Sequence, residues 1–579
     1  MQIERLTGHS HLAAPLAGLH VGEFGHLYDT RAWNAEIAER ELREMAMPGS
    51  SDVTWVAFAG DGRAVDDLLG SVSLVASDDL PGFEHLTPWL ASLFVTQPAR
   101  GAGVGGALVE RVMAEAFVLG HQYVHLFTAG QAQYYLDRGW RTLALVEHRG
   151  HAAEVMVKAT SPRAARRSVS SKWCGNPDTN GAYSYLRVGG RPSHRDRLAA
   201  SILPGLWFAG EATWSSHPAT MHGAWFSGER AADQVLETAA EGDDVLVIGA
   251  GLSGIATARR LTEAGCSVTV CEATERPGGR AATDTSLGIP VPLGGAWLHG
   301  TEGHPLAPYV TTAPEDWSFG ATFVVGHGLL DVDQRRQAIA ARAELDQLLE
   351  SYPGDTTADI AIERALAAIP DLDPLIAVAV AEWVGVEIEN LYAAPLTDFA
   401  PSTGYEDYEL PGDDQIITSS LGPVMEKLAG DLDVRYGTRV TRLEHDGARW
   451  CTDAGPSAAQ VVVTVPVGAL KAGRIAFSPA LPDDVLDALD HLGVGPVTKL
   501  FATYDSRWWP TDVRPIRIAG GTTLRQAADM TALTGVPCLC WFATGEAARR
   551  IETMSEHEQC QLIDQATAEA GLANWDIEP

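Results

Sequence analysis

Short apolar runs alternate with longer amphipathic stretches along most of the chain. Among the first 160 residues, the run 91–95 predicts a strand, and residues 107–119 have the spacing of a helix. Further on, residues 245–248 and 267–271 predict two buried strands on either side of an amphipathic helix at 255–264. Strands that alternate with helices in this way are typical of α/β folds.

Two breaks and a group of helices divide the pattern. Residues 160–171, TSPRAARRSVSS, are rich in basic and small residues, and we interpret them as a linker. At residues 237–244 an alanine-rich helical pattern stops and a Val/Leu/Ile run begins, which makes a second junction. Residues 335–352, 356–369 and 374–390 predict amphipathic helices.

Composition and charge exclude several classes of function. The 579 residues include 42 Lys plus Arg and 75 Asp plus Glu, and the net charge of −33 disfavours nucleic acid and anionic membranes as partners. The hydrophobic share of 46% is enough for a globular core. Seven cysteines without a CxxC pair indicate neither a disulfide framework nor a metal site. With no signal-peptide or membrane-span pattern, we expect a cytoplasmic protein.

A glycine-rich loop follows the first predicted strand. It reads RGAGVGG at residues 100–106 and leads into the predicted helix. Glycines let backbone N–H groups approach an anion, and the helix N-terminus and Arg100 add positive charge, so the loop suits a pyrophosphate. An ordinary tight turn is the alternative.

This loop and a second element, Tyr135-x-x-x-Gly139-Trp140, together resemble the GNAT-type N-acetyltransferase superfamily. The resemblance implies that residues 1–160 form a GNAT fold with acetyl-CoA as co-substrate, and that Tyr135 protonates the departing thiolate. The pattern does not identify the general base, for which Glu23 is one candidate. A domain of this fold without activity, used for docking, is the alternative. The implied acetyl-CoA contacts are Val95, Arg100, Gly101, Gly103, Gly105 and Gly106.

A dinucleotide-binding fingerprint starts at residue 249. GAGLSG at residues 249–254 joins a predicted strand to a helix, and Glu272 follows the next strand, 18 positions after the last glycine. In such a βαβ unit the pyrophosphate lies at the helix N-terminus and the carboxylate accepts hydrogen bonds from ribose hydroxyls. The acidic residue argues against NADP and leaves NAD and FAD open.

The motifs after the fingerprint resemble the flavin-dependent amine oxidase family, and GGAWLHG with the following GHP resembles its polyamine oxidase branch. The motifs are RPGGR at 276–280, LGGAWLHG at 293–300, GTRV at 437–440 and GPVTKL at 495–500. The resemblance implies FAD as cofactor. We expect it to be non-covalent, because Ala182 takes the place of a cysteine that tethers the flavin in some members. The implied FAD contacts are Gly249, Gly251, Gly254, Glu272, Gly279, Arg280, Gly295, Ala296, Trp297, Leu298, Val440, Gly210, Glu211, Thr220 and Met221.

The segment that the family places last lies upstream in this chain. Residues 172–236 contain GAYSY at 181–185, WFAGEAT at 207–213 and PATMHGA at 218–224. We therefore predict a circular permutation, in which the family's last helix ends near residue 237 and runs into its first strand at residue 245. New termini then open between residues 579 and 170, which is feasible where old termini are surface neighbours. A decayed gene fragment is the alternative.

These interpretations give an α/β and α+β architecture, in which a GNAT fold precedes a permuted, Rossmann-like amine oxidase fold. The predicted segments are a GNAT domain (1–160), a linker (161–171), a permuted C-terminal FAD-binding segment (172–240), a Rossmann-type FAD-binding segment (241–310), a helical part of the substrate domain (311–430), an FAD-binding segment (431–470) and a sheet part of the substrate domain (471–579).

The resemblance also implies a reaction centre. Lys499 would hold a water near the flavin and assist reoxidation, with a surface lysine at a strand edge as the alternative. Tyr183 and Thr220 take the two positions that are both tyrosine in monoamine oxidases, so one cage tyrosine is kept, as in the lysine-specific demethylase branch. His299 would contact the substrate or be structural. Acidic residues of the predicted helices could bind distal ammonium groups or form a solvated face; they include Glu382, Glu387 and Glu389.

The sequence as a whole predicts a bifunctional enzyme. Its second unit would oxidise a small-molecule amine, or an N-acetylated amine, to an imine while O2 is reduced to H2O2, and its first unit would N-acetylate with acetyl-CoA. Oxidation within the scaffold of a specialised metabolite is the second interpretation, with the GNAT unit acting on a related intermediate or docking. A histone demethylase would need accessory helical regions that the pattern lacks.

Overall fold

The fold is given by a computed structural model that describes residues 1–27, 33–60, 64–78, 80–119, 121, 123–160, 164–240, 242–314, 320–404, 410–510, 515–521 and 523–572. The chain divides into two compact units, Met1–Arg166 and Arg167–Pro579. Residues 161–163 of the predicted linker and the predicted terminus at residue 579 lie outside the described residues. Within those residues, no helix has the length and apolar character that crossing a membrane requires.

The first unit is built on a seven-stranded sheet. Strands β1 to β7 span Gln2–Arg5, Val53–Phe58, Leu68–Val75, Trp89–Val95, Tyr123–Thr128, Arg141–His148 and His151–Ala159. Helices α1 to α4 span Ala13–Phe24, Ala35–Met45, Val104–Val118 and Ala132–Leu136. The strand order is β1-β2-β3-β4-β5-β7-β6, and β4 and β5 are the parallel neighbours among antiparallel ones. Leu108 and Val112 of α3 are fully buried in the core of this unit, so the glycine loop is fixed between β4 and α3.

The second unit contains the remaining elements. Strands β8 to β31 span Arg167–Ser170, Ser184–Leu186, Ser201–Leu203, Leu206–Phe208, Asp244–Ile248, Ser267–Cys271, Thr283–Asp284, Val291–Pro292, Trp297–Leu298, Thr312–Pro314, Ala321–Val324, Gly328–Leu329, Gln415–Ile417, Val434–Arg435, Arg442–His445, Trp450–Thr452, Ser457–Ala458, Gln460–Val463, Ala476–Ser478, Leu492–Val494, Val497–Thr503, Ile516–Ala519, Gln526–Asp529 and Cys538–Thr544. Helices α5 to α17 span Pro192–Ala199, Met221–Thr238, Leu252–Glu263, Val332–Leu349, Ala358–Ala368, Pro374–Leu391, Pro401–Gly404, Leu421–Ala429, Val467–Lys471, Asp483–Asp490, Thr531–Thr534, Gly545–Thr553 and Glu556–Glu569.

A six-stranded sheet carries the dinucleotide fingerprint. Its order is β10-β11-β25-β12-β13-β21, and all neighbours except β10 and β11 are parallel. Strand β12 is flanked on both sides and its Val/Leu/Ile run is buried, as expected for the centre of a parallel sheet. Helices α6 and α7 pack closely, because Gly228 places its Cα next to the Ser253 carbonyl; a Cβ there would lie 2.2 Å from that oxygen. The segments 172–240 and 241–310 therefore share one sheet and one helix pair.

A second large sheet stands in the same unit, with the order β19-β18-β29-β30-β31-β28-β8. Strand β8 pairs with β28, so residues 167–170 of the predicted linker form an edge strand here. The three predicted amphipathic helices correspond to α8, α9 and α10, with ends displaced by at most three residues. Helix α10 begins where Asp373 accepts a hydrogen bond from the Leu375 N–H and Pro374 occupies the first turn.

Candidate active site

A cavity of about 930 Å³ lies in the second unit and is lined by residues of both sheets. Most predicted site residues of this unit line it, and they are Tyr183, Gly210, Glu211, Thr220, Met221, Gly249, Gly251, Glu272, Gly279, Arg280, Gly295, Ala296, Trp297, His299, Val440 and Lys499. Gly254 and Leu298 do not line it. Leu298 follows Trp297 on β16 and therefore points to the opposite face, where it is buried in a hydrophobic cluster.

One end of the cavity is the turn between β12 and α7. A Cβ at Gly254 would lie 1.9 Å from the Gly249 carbonyl oxygen, so this glycine allows the helix to pack against the turn. A Cβ at Gly251 would meet nothing within 4 Å, so this glycine leaves the cavity wall open. Glu272 is held at the end of β13 by the N–H groups of Ala250 (2.7 Å) and Thr274 (2.9 Å). These residues fit the diphosphate and ribose of a dinucleotide.

A buried ion pair lies beside this turn. Glu211 is 4% exposed and accepts hydrogen bonds from Arg280 (3.0 Å), Ser184 (2.6 Å) and the Ala219 N–H (3.1 Å). Burial pushes the pKa of Glu211 upward, but Arg280, Arg195 and Ser184 outweigh it and hold the pKa below its usual value. The carboxylate is therefore ionised at neutral pH, and its charge is balanced by arginine.

Helix α6 starts at the cavity wall. Its N-cap is Thr220, whose hydroxyl accepts a hydrogen bond from the Gly223 N–H and donates one to the His217 carbonyl, both at 2.9 Å. Met221 packs under Gly295, where a Cβ would lie 2.5 Å from its sulfur. The Thr220 side chain thus caps the helix, and the positive end of the helix dipole lies at the cavity.

Lys499 lies on β28 in the interior of the second large sheet, between β31 and β8, and not at a strand edge. Its Nζ donates a hydrogen bond to the Gly294 carbonyl at 2.6 Å and lies 4.4 Å from the centre of the Trp297 ring. The ammonium is thereby fixed at the cavity by one carbonyl and one aromatic face.

Two further side chains at the cavity are held by hydrogen bonds. The Tyr183 hydroxyl donates to the Asn390 carbonyl. His299 Nδ1 lies 2.9 Å from Asp414 Oδ2, and the other oxygen of Asp414 accepts from the Gly300 N–H. Burial pushes the pKa of Asp414 up, yet the hydrogen bonds from His299 and Gly300 leave it below its usual value. An ionised Asp414 can only accept, so Nδ1 of His299 carries a proton and Nε2 is the ring atom left for a ligand.

Sequence reasoning missed Asp414. Strand β20 pairs with β16, with Trp297 opposite Ile416, and this pairing brings the residues before β20 next to the WLHG motif. The two segments are more than 100 positions apart in the chain, and no motif marks the second one.

The first unit has a candidate site of its own at the glycine loop. Gly101 and Gly103 have positive φ angles of 82° and 83°, and a Cβ at either would meet nothing within 4 Å. Arg100 forms an ion pair with Glu23, in which its Nη2 donates to both carboxylate oxygens at 3.0 Å. Val95 and Gly105 adjoin in space, since a Cβ at Gly105 would lie 3.4 Å from Val95.

The two tyrosines of α4 differ in position. Tyr135 packs in the core with its ring centre 5.7 Å from that of Trp140, and burial raises its pKa. The Tyr134 hydroxyl is the one beside the start of α3, since a Cβ at Gly105 would lie 2.9 Å from it. Gly106 lies near Arg138, with Nε 3.7 Å from an added Cβ.

A turn that suits a dinucleotide and a lysine held at the same cavity are typical of a nucleotide-dependent oxidoreductase. The family model "Flavin containing amine oxidoreductase" matches residues 51–236, 252–316 and 334–575, and the chain belongs to this family. The family implies FAD, and the protein is an FAD-dependent amine oxidase.

Two plant proteins and one solved structure are among those similar to this chain. "Probable polyamine oxidase 4" of Arabidopsis thaliana is 30% identical over 350 residues, which are 55% of this chain and 70% of that protein. "Lysine-specific histone demethylase 1 homolog 1" of Oryza sativa subsp. japonica is 27% identical over 363 residues, 55% of this chain and 42% of that protein. A solved structure of wild-type putrescine oxidase bound to putrescine is 21% identical, with a TM-score of 0.45, and the match covers 57% of this chain and 81% of that one.

Replacing Gly251 by valine should weaken FAD binding. Because an added Cβ meets no protein atom within 4 Å and Gly251 lines the cavity, the apoprotein should fold, while the new side chain takes space that the diphosphate needs. Overpacking of about 1–3 kcal/mol corresponds to about 5- to 150-fold weaker binding. Titration of the apoprotein with FAD, followed by flavin fluorescence, measures the change.

The matched control is Gly18→Val in α1, an exposed glycine where an added Cβ also meets nothing within 4 Å. It should bind FAD as the unaltered protein does. Equal affinity of the Gly251 variant would show that the diphosphate does not lie at this turn.

Proposed function

We propose that the second unit oxidises an amine, or an N-acetylated amine, to an imine, with O2 reduced to H2O2, and that the first unit N-acetylates an amine with acetyl-CoA. The observation that carries the oxidase half is one cavity that joins the dinucleotide turn, with Gly251, to Lys499, Tyr183 and His299. The carbon next to the amine nitrogen gives up two electrons and a proton, the nitrogen gives up a second proton, and water hydrolyses the imine to an aldehyde. FAD bound at the turn supplies the two-electron chemistry.

The side chains of the cavity would bind and orient the amine. His299 Nε2 would contact the substrate amine, because Asp414 occupies Nδ1 of the same ring. The Trp297 and Phe542 rings, with centres 6.4 Å apart, form an apolar wall that favours the neutral amine. Lys499 would hold a water and a proton at Nζ.

The cofactor part of the proposal extends to the remaining predicted contacts. Non-covalent attachment is supported by Ala182, which lines the cavity without a nucleophilic side chain. Glu211 is paired with Arg280, so its negative charge is balanced near the diphosphate of FAD. Glu211 would therefore act on the cofactor through Arg280.

The acetyltransferase half is supported by the first unit's own geometry. The loop follows the end of β4, whereas the pairing of β4 with its parallel neighbour β5 lies at the start of β4, where Trp89 pairs with His125. The loop leads into α3, and the backbone N–H groups of the helix start face it. An acyl carrier's phosphates would compete with Glu23 for Arg100. Tyr134 joins Tyr135 as a candidate acid, because its hydroxyl lies beside that helix start.

Circular permutation belongs to the same proposal. It is supported by the pairing of β11 with β25, next to β12, and by the packing of α6 on α7. The connection between α6 and β12, residues 239–243, is short enough to join old termini that were neighbours.

The test is peroxide release by the purified, FAD-loaded protein. Polyamines, monoamines and amino carboxylates are each assayed with and without acetyl-CoA, and acetyl-CoA binding is measured by calorimetry. We expect peroxide from at least one amine and a rate that changes when acetyl-CoA is present. Absence of peroxide with every amine contradicts the oxidase half. No heat of acetyl-CoA binding and no change in rate contradict the acetyltransferase half.

A further inference from the structure

A row of four side chains crosses the second large sheet along one wall of the cavity. Lys499 on β28 is paired with Phe542 on β31, Phe542 with Gln526 on β30, and Gln526 with Arg517 on β29. All four residues line the cavity. Since neighbouring strands are about 4.8 Å apart, Arg517 lies three strand spacings, about 14 Å, from Lys499. The cavity therefore reaches from the proposed reaction centre to a guanidinium group.

Arg517 is buried and incompletely paired. It is 5% exposed, and among the described residues its Nε has no hydrogen-bond partner. Its guanidinium carbon lies 4.5 Å from the centre of the Trp383 ring, which fixes the plane of the group. Burial lowers the pKa of Arg517 to about 10, so the group still carries its charge at neutral pH.

The carboxylate that faces Arg517, Glu387, is bound more closely by another arginine. Glu387 lies 2.7 Å from Arg342 but 3.9 Å from Arg517, and it also accepts a hydrogen bond from the Trp383 indole N–H at 2.5 Å. Among the described residues, Arg517 forms an ion pair with Glu387 and shares it with Arg342, so an anion that enters the cavity would add a counter-charge to a buried cation.

The acidic residues that the sequence suggested for a distal ammonium are paired with arginine. Glu382 and Glu389 both form ion pairs with Arg525, and neither lines the cavity. Glu387 lines the cavity and its side chain is 38% exposed, but it is paired with Arg342, so all three carboxylates have an arginine partner. The far ammonium of a polyamine would therefore have to compete with arginine for a carboxylate at this end of the cavity.

We propose that Arg517 binds a carboxylate of the substrate, so that the amine oxidised by this protein carries an anionic group at its far end. The inference rests on the proposed oxidase function. The carboxylate forms charge-assisted hydrogen bonds with the guanidinium, while the amine lies toward Lys499. Allowing about 3 Å at each end for hydrogen bonds, the nitrogen and the carboxylate are about 8 Å apart, the length of an ω-amino acid with six to eight carbons.

The first test measures carboxylate binding without any oxidation. Octanoate, which has the carboxylate but no amine, is titrated into the FAD-loaded protein by calorimetry, for the unaltered chain, Arg517→Met and Arg517→Lys. We expect the methionine variant to bind octanoate about 10- to 100-fold more weakly, and the lysine variant to fall between, because lysine keeps the charge but not the planar fork. Arg336→Met, an exposed arginine on α8, is the matched control and should bind as the unaltered protein does.

The second test uses the unaltered protein and so does not depend on how a variant folds. Peroxide release is compared for ω-aminooctanoate, octanediamine and mono-N-acetyl octanediamine, which share a chain length and differ at the far end. We expect kcat/KM to be at least about tenfold higher for the amino acid, through a lower KM. Preference for the diamine or the acetylated amine, or octanoate binding unchanged in Arg517→Met, would overturn the inference. Octanoate binding with no peroxide from any amine would leave Arg517 as an anion site and contradict the oxidase proposal instead.

Discussion

The Glu211→Gln variant should unfold with a free energy about 3–5 kcal/mol lower than that of the unaltered protein. The variant keeps the shape of the side chain but removes the charge that Arg280 faces, so the partly buried Arg280 loses the carboxylate with which it is paired. Ser184 and the Ala219 N–H also lose a charged acceptor. Urea denaturation of the apoprotein, followed by circular dichroism, measures the loss.

The stability difference between the variant and the unaltered protein should depend on pH. The pKa of Glu211 is lower in the folded protein than in the unfolded chain, so its contribution is complete above the unfolded value of about 4.3 and is lost as pH falls through the folded value. The difference between the two proteins should therefore be largest near neutral pH and shrink below about pH 4.

The control for Glu211 is Glu263→Gln on α7. Glu263 is exposed and lies 3.7 Å from Arg259, one turn away, so its replacement should leave the stability unchanged. A difference between the Glu211 variant and the unaltered protein that did not depend on pH would contradict the ionised pair.

The sequence predicted the elements and residues whose chemistry depends on short spacing. The fingerprint glycines and Glu272 belong to one βαβ unit, and that unit's three elements have the predicted order, with ends displaced by at most three residues. The helical part followed from 3.6-residue periodicity. In these cases the residues that determine the structure lie close together in the sequence.

The rest of the site depends on strand pairing between distant segments. Asp414 lies next to His299 because β16 pairs with β20. Arg517 lies in one row with Lys499 because of the registers of three strand pairs, β28 with β31, β31 with β30 and β30 with β29. A shift of one residue in any of these registers would point the side chain to the other face. The sequence contains no local signal for such registers, and for the same reason it did not show that Glu387 would be paired with Arg342.

Glu552 was also missed by sequence reasoning, and its replacement has the other large expected effect. It lies on α16, is 8% exposed, and accepts hydrogen bonds from the backbone N–H groups of Trp173, Cys174 and Gly175. The Thr498 hydroxyl donates to the same carboxylate at 2.8 Å. One buried carboxylate therefore joins the start of the segment 172–240 to the strand that carries Lys499.

The Glu552→Gln variant should lose about 2–6 kcal/mol of stability. An amide keeps one acceptor oxygen and turns an N–H2 group toward backbone donors, so about two of the donors lose their acceptor at about 1–3 kcal/mol each. Urea denaturation checks the loss, with Glu569→Gln as the control, since Glu569 is an exposed glutamate on the neighbouring helix α17. Because Trp173 lines the cavity and Thr498 precedes Lys499, the variant should also bind FAD more weakly. Unchanged stability would mean that residues 173–175 are held to the second large sheet by contacts other than this carboxylate.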